Sequence, residues 1–301
     1  MSKVSIIVPC YNEEEALPIF YEAACKELAG IEDLEFYLID DGSKDGTLAI
    51  MRDLAAKDNR VKYVSFSRNF GKEAALYAGL QVATGDYVAV ADADMQDPPS
   101  LIPQMLEILE GGEYDCVATR RVTRAGEPPV RSFFARCFYK LINRISSTEF
   151  KDGVRDFRLM KRQMVDAVLS MTEYDRFSKG IFSWVGFKTK WLEYENVERS
   201  AGETKWSFWK LFKYAVDGIV DFSTFPLLIS CFAAGAFWLA ALVMFIVCLC
   251  GAGPSWLPLA TFIAFCAGVI QTSVAILSLY FSKTYLQTKG RPVYIVAERK
   301  D

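Results

Sequence analysis

Histidine is absent from the 301-residue chain. Its absence excludes His-dependent catalytic triads, imidazole general bases and Cys/His zinc sites. Eight cysteines stand at 10, 25, 116, 137, 231, 248, 250 and 266, none in a Cys-x-x-Cys pair and four in strongly apolar sequence. Disulfide and metal readings are therefore poor, and free thiols in a reducing compartment fit better. The loops G-x-G-x-x-G and G-x-x-x-x-G-K-[ST] are missing too, which removes the usual support for dinucleotide and P-loop sites. A longer gap lies toward the C-terminus, where 61 residues from Phe222 to Ser282 pass without one Asp, Glu, Lys or Arg.

That gap predicts a membrane hairpin. Gly251, Gly253, Pro254 and Pro258 cluster in its middle and divide it into spans at about 227–250 and 257–281. Each is long enough for the ~20 residues that a bilayer-crossing helix needs. Buried helices of a soluble core are the alternative, disfavoured because such helices rarely run so far without charge. Lys205, Lys210 and Lys213 precede the first span, and Lys283, Lys289, Arg291, Arg299 and Lys300 follow the second, while the connection is uncharged. By the positive-inside rule both termini face the cytoplasm and the protein is a multi-pass inner-membrane protein. The opening MSKVSIIVPCYNEEE reads as a strand rather than a signal peptide, since charge returns after a few apolar residues.

The chain is 52% hydrophobic and 24% charged, too apolar for disorder and long enough for about two domains. Its net charge of −3 conceals an uneven distribution. Residues 1–119 carry 9 basic and 22 acidic side chains, whereas 120–162 carry 12 basic and 4 acidic. A basic block inside an acidic chain points to a local anionic partner, not to nucleic acid.

The first 120 residues alternate between β-rich apolar runs and helix-periodic stretches. Strands are expected at Val4–Val8, Phe36–Ile39, Val61–Phe66, Tyr87–Ala91 and Cys116–Ala118, with helices near 14–28, 47–57, 72–83 and 99–110. Asn12 with Glu15 has the spacing of a helix cap and its reciprocal partner, and Pro98 and Pro99 suit a helix start. Alternation of this kind implies an α/β fold with a mainly parallel sheet.

Polar clusters follow each of the first four strands: Pro9-Cys10-Tyr11-Asn12-Glu13, Asp40-Asp41-Gly42-Ser43, Ser67-Arg68-Asn69-Phe70-Gly71-Lys72 and Asp92-Ala93-Asp94-Met95-Gln96. In an open parallel sheet all four meet at the carboxyl edge, where such folds bind ligands. Singly each has a plain reading as a turn or cap. Together they suit a nucleoside diphosphate. The Asp92-x-Asp94 pair matches Mg²⁺ or Mn²⁺, which takes one or two carboxylates and fills its other positions with phosphate and water. Asp41 can accept from a base imide, and Tyr11 can pack on the same base.

With these motifs the chain resembles an inverting family 2 glycosyltransferase of the GT-A (Rossmann-like) fold. More narrowly it is similar to the membrane-anchored polyprenyl-phosphate glycosyltransferases, the bactoprenol glucosyltransferases and, more distantly, the dolichyl-phosphate mannose synthases. The resemblance rests on SIIVPCYNEEE, IDDGSKDGT, SRNFGKEAAL, DADMQDPP, DFRLMKR and RSAGETKWS, followed by the two spans. It implies a cytoplasmic catalytic domain over 1–200, a loop and interfacial helix over 201–221, two transmembrane helices within 222–282 and a cytoplasmic tail over 283–301. It also implies a sugar-nucleotide donor, a divalent cation and a polyprenyl-phosphate acceptor; a homo-oligomer is left open. Pro9, Tyr11, Glu13 and Asp41 would line the nucleotide, Asp92 the ribose and diphosphate, and Asp94 with Gln96 the metal.

Asp156 matches the family's active-site aspartate, with an ion pair to Arg155 or Arg158 as the plain alternative. Arg199 to Lys205 matches a flexible loop over the donor phosphates, with Arg199 and Lys205 supplying charge; a basic juxtamembrane linker is the alternative. Between Ser132 and Ser147 an apolar helix face is flanked by Arg136, Lys140 and Arg144, a stripe suited to anionic headgroups or else merely solvated. Arg131 is the first choice for the acceptor phosphate, with Arg120 and Arg124 behind it. Trp206, Phe208, Trp209, Leu211 and Phe212 suit the membrane interface. The run from Arg68 to Ala75 looks most like the bacterial glucosyltransferases and favours UDP-glucose over GDP-mannose or UDP-aminoarabinose. A processive polysaccharide synthase would carry a Gln-x-x-Arg-Trp motif, which is missing, and a non-catalytic lipid-linked scaffold is the reading from another class.

Overall fold

Strands buried on both faces are mostly apolar, and two segments of this chain are buried along nearly their whole length, with Ser5, Glu35 and Asp40 as their polar members. These are β1 (Val4–Cys10) and β2 (Leu34–Asp40), which pair in parallel from Val4↔Leu34 to Cys10↔Asp40. The computed structural model describes residues 2–121, 154–194 and 256–300, with single positions 144, 216, 239 and 246 between them. Around the central pair are built α1 (Ala16–Glu27), α2 (Thr47–Lys57), β3 (Val61–Phe66), α3 (Lys72–Val82) and β4 (Tyr87–Val90). A 3₁₀ turn at Pro99–Leu101 leads into α4 (Ile102–Glu110), followed by β5 (Cys116–Arg121), β6 (Val154–Lys161), α5 (Arg162–Ser170), α6 (Ser178–Trp184) and β7 (Thr189–Tyr194). The chain ends with α7 (Leu257–Thr288) and β8 (Val296–Lys300).

The sheet has eight strands in the order β7-β5-β6-β4-β1-β2-β3-β8. Its centre, β4-β1-β2-β3, is parallel as expected, whereas β6 runs antiparallel to both β4 and β5, and β8 runs antiparallel to β3. Strand residues alternate between two cores. Val4, Ile6, Val8, Phe36 and Leu38 meet Leu17 and Phe20 of α1, Met51 of α2 and Met105 of α4 on one face. Ile7, Tyr37 and Ile39 meet Ala75, Ala78 and Leu80 of α3, Val165 of α5 and Phe182 of α6 on the other. The fold is thus a mixed α/β sheet covered by helices on both sides.

Two local expectations need correction. Asn12 does not cap α1, which begins at Ala16 behind Glu15. Asn12 sits instead at φ 54° and its side-chain oxygen accepts from the backbone N–H of Lys44 at 2.8 Å, tying the β1 loop to the β2 loop. The C-terminal residues, expected only as a tail, add an edge strand. Ser67 N–H donates to Ile295 O at 2.9 Å, Tyr294 stacks on Phe66 at 4.7 Å between centroids, and Arg52 and Tyr63 both bond Glu298.

α7 is long and apolar enough to cross a bilayer, with a mean hydropathy of 2.0 over its most apolar window, none of it buried against the protein. Its last turns dock on the loop before α6: Lys283 pairs with Asp175, and Gln287 accepts from Tyr174 N at 2.7 Å and donates to Thr172 O at 3.2 Å. The first expected span, 227–250, lies outside the described residues apart from positions 239 and 246, as do the whole interfacial stretch 206–212 and the stripe positions 136 and 140.

Candidate active site

The carboxyl ends of β1, β2, β3 and β4 open on one edge, and the loop after β3 crosses them. It begins beside β2, where Gly42 adopts φ +65° and an added Cβ would lie 2.4 Å from the carbonyl carbon of Arg68. Glycine serves there twice, for the left-handed backbone and for the close approach. The buried Asp41 carboxylate then accepts from Phe70 N at 2.6 Å and from Gly71 N at 3.0 and 3.1 Å. Burial pushes Asp41 up to about 6, against the pull of those two N–H groups and of Arg68. Its neighbour Asp40 has a structural task, accepting from Ser43 N at 2.9 Å and Ser65 Oγ at 2.6 Å.

Gly71, at φ +102°, turns the chain into α3, and the first helical residue is Lys72. Its ammonium reaches across the edge to Asp92, at 2.7 and 2.9 Å from the two carboxylate oxygens, and to Asp156 Oδ2 at 3.0 Å. Asp156 is beside Asp92 because β6 pairs with β4 through Val90↔Arg158, and continuing that register by two residues sets 156 against 92. Burial alone would raise Asp156, but the charge of Lys72, followed by that of Lys179, holds it well below the usual carboxylate range. Lys72 is correspondingly held above the ordinary lysine value: burial lowers it, and the two carboxylates more than offset that.

The aspartates after β4 are anchored from below. Asp97 is fully buried and takes a salt bridge from Arg155, with Nε at 3.0 Å and Nη2 at 3.2 Å. Tyr194 also donates to Asp97, and Arg155 reaches Gln96 Oε1 at 3.3 Å. Asp94 Oδ1 accepts from Gln96 N at 3.1 Å, and Met95 between them adopts φ 60°. Among the described residues no three His, Cys, Asp or Glu side chains gather into a metal cage. Asp92 and Asp94 fit a hard divalent ion of the Mg²⁺ or Mn²⁺ kind, which needs only one or two carboxylates when phosphate and water supply the rest.

The edge therefore brings together Pro9 and Tyr11 at the end of β1, Asp41, Asp92, Asp94, Gln96 and Asp156. Glu13 sits just beyond, its N–H donating to Thr47 Oγ1 at 2.8 Å. Arg120 is on β5 opposite Val154, near the same edge, and makes a loose 3.8 Å contact with Glu193. Arg124, Arg131, Arg199 and Lys205 lie outside the described residues. The contact partner of the Asp156 carboxylate is Lys72, with the charge of Arg158 adding to it; Arg155 serves Asp97, and Arg158 also donates to the backbone carbonyls of Asp156 and Arg155 and lies 3.8 Å from the Phe182 ring centroid. Lys72 was missed as a site residue. Its signal was its place in the cluster after β3, the one cluster assigned no role at the edge.

The model of the family described as glycosyl transferase family 2 matches residues 5–169. A protein named prophage bactoprenol glucosyl transferase homolog, from Escherichia coli (strain K12), is 42% identical, covering 99% of this chain and 99% of its own length. A bactoprenol glucosyl transferase of Shigella phage SfX is 41% identical, covering 99% and 100%. Among solved structures, a mannosyltransferase from Pyrobaculum calidifontis in complex with GDP-Man and Mn²⁺ superposes with a TM-score of 0.50 at 17% identity, over 96% of this chain and 79% of that one. At that identity the likeness speaks to the fold alone.

Proposed function

Since the chain belongs to glycosyl transferase family 2, we propose that it transfers glucose from UDP-glucose to a polyprenyl phosphate such as undecaprenyl phosphate, with inversion. The observation that carries this reading is the 41–42% identity to bactoprenol glucosyl transferases over 99% of the chain, charge-free segment included. In the reaction a phosphate oxygen of the lipid attacks the anomeric carbon. The bond from that carbon to the donor's β-phosphate oxygen breaks, and its electron pair leaves with UDP. No proton has to move, because the nucleophile is already anionic near neutral pH.

Asp41 holds the base, with Tyr11, Pro9 and Glu13 around the nucleoside. Asp92, Asp94 and Gln96 face the diphosphate, and a Mg²⁺ or Mn²⁺ ion on the two carboxylates, with the Gln96 amide oxygen beside them, would neutralise charge on the departing group. Asp156 is the family's active-site aspartate. A carboxylate paired with a lysine is a poor proton acceptor, so its role is to steady positive charge at the anomeric carbon and to orient the acceptor. Arg199 and Lys205 close on the donor phosphates, and Arg131, backed by Arg120 and Arg124, receives the lipid phosphate.

Parity supports the topology. β8 is hydrogen-bonded into the same sheet as β1 to β7, which keeps β8 and the catalytic edge on one side of any membrane. A crossing by α7 then calls for a return crossing, for which the charge-free 227–250 is long enough. The lysines and arginines flanking both spans favour the cytoplasm as that side, and a multi-pass protein with both termini there. The test is to incubate full-length protein in detergent with undecaprenyl phosphate and a panel of labelled sugar nucleotides. Label from UDP-glucose should enter the lipid fraction, and EDTA or Asp94→Ala should stop it. Transfer from GDP-mannose or UDP-aminoarabinose in preference, or none from any donor, overturns the reading.

A further inference from the structure

Lys72 carries a charge that the reaction as described leaves without a task. Its ammonium touches both oxygens of Asp92 and one of Asp156, and its side chain is 34% exposed, so the contact can open to solvent. Its position is not adjustable at the backbone: the preceding residue, Gly71, is fastened to Asp41. Two carboxylates from neighbouring strands thus share one cation that projects from the loop over the base pocket. Lys72 compensates for the repulsion between Asp92 and Asp156, and it also occupies the face of Asp92 that a divalent ion needs.

These contacts make a metal ion and a lysine competitors for one carboxylate. A bare divalent ion arriving at Asp92 must separate a charge-assisted pair and leave Lys72 with Asp156 alone. An ion arriving with a nucleoside diphosphate brings an anion that can accept the displaced ammonium. We propose that Lys72 is a positioning residue, the stand-in counter-ion of Asp92 in the donor-free enzyme, which yields that carboxylate only when metal and donor diphosphate bind together and stays on Asp156 throughout. The proposal rests on the reading that places the metal at Asp92 and Asp94. It makes metal and nucleotide binding mutually reinforcing, and such coupling is reciprocal.

The experiment measures Mn²⁺ binding to full-length protein in detergent by the paramagnetic resonance signal of free Mn²⁺, with and without saturating UDP. Chelation of Mn²⁺ by UDP itself is common to all variants, so each is compared with wild type. Lys72→Met and Lys72→Gln should bind Mn²⁺ alone about ten-fold more tightly, the equivalent of about 1.4 kcal/mol, and the tightening by UDP should shrink correspondingly. Their kcat should fall with little change in KM for UDP-glucose, and Lys72→Arg should restore the coupling and part of kcat. A lysine that merely supported the fold would lower Tm and leave the coupling intact. If Lys72→Met and Lys72→Gln bind Mn²⁺ alone no better than wild type while Asp92→Asn loses Mn²⁺ binding, the proposal fails and the metal assignment stands. If Asp92→Asn and Asp94→Ala both bind Mn²⁺ with UDP as wild type does, the metal assignment fails and the proposal with it.

Discussion

If Asp41 holds the donor's base as proposed, donor affinity should follow its ionisation. To accept the imide N–H of a uracil ring it must be ionised, and burial has pushed it up to about 6. At pH 8 nearly every Asp41 is ionised, whereas at pH 5 only about one in eleven is, so the dissociation constant for donor should rise about ten-fold between them. UDP-glucose is the ligand to use, because its diphosphate diester does not titrate over this range as the terminal phosphate of UDP does. Calorimetry at pH 5, 6, 7 and 8 should give a curve that bends near 6. Asp41→Asn should bind weakly and show no bend. The same burial affects stability in the opposite sense. The folded value lies above the ordinary carboxylate value, so the stability Asp41 contributes is full below about pH 4 and is lost as pH rises through 6. Asp41→Asn, which can still accept from Phe70 and Gly71, should therefore raise Tm at pH 7.5, by an amount on the order of 2 kcal/mol in stability. Wild-type affinity that stays flat from pH 5 to 8, or a bend that survives in Asp41→Asn, would refute the argument.

The pair Asp97–Arg155 should behave as a buried ion pair does when halved. Asp97→Ala strands the guanidinium under the metal loop and is expected to cost about 3–5 kcal/mol, read as a drop in Tm, with weaker Mn²⁺ binding in the protein that remains folded. β8, which ends at Lys300, is paired with β3 in the sheet of the catalytic domain, so the C-terminus is expected on the same side of the membrane. A reporter fused there should be active only in the cytoplasm, and one inserted between 251 and 256 only outside; reversal at either site refutes the topology.

The parallel centre of the fold was legible because its strands announce themselves. Val4–Cys10 and Leu34–Asp40 are predominantly apolar, with Ser5, Glu35 and Asp40 as exceptions, and each is followed by a polar cluster and a helical period. β6 and β8 were not legible for the same physical reason in reverse. Val154–Lys161 breaks its apolar residues with Arg155, Asp156, Arg158 and Lys161, and Val296–Lys300 is an edge strand exposed at most positions, so neither carries the apolar run that marks a central strand. Asp41, Asp92 and Asp94 could be named from sequence because short strand-to-helix loops fix where they point. Asp156 could be named only from the family resemblance, since its place beside Asp92 depends on a pairing more than 60 residues away in the chain. Lys72 fell between these cases. As the first residue of a helix it has an ordinary local explanation, and its role at the edge appears only when the ends of β4 and β6 are set side by side.

The C-terminal strand bears on how the proposed enzyme would meet a lipid acceptor. A flexible tether would leave the catalytic edge free to sample many heights and tilts above the bilayer, and productive encounters with a headgroup-level phosphate would carry that orientational cost. Here the membrane-directed helix is joined to the domain at two places. Its last turns grip Thr172, Tyr174 and Asp175, and a few residues on Tyr294 stacks on Phe66, whose ring also meets Phe70 edge-on at 5.8 Å. Phe70 is the residue whose N–H holds Asp41. From Tyr294, six residues past the end of α7, the path to Asp41 thus runs through packed rings and one hydrogen bond. On the proposed reading, in which α7 crosses the bilayer, the helix would set the height of the edge and the strand after it the tilt, so that Asp92, Asp94 and Asp156 would stand at a fixed distance from the surface where a polyprenyl phosphate is confined.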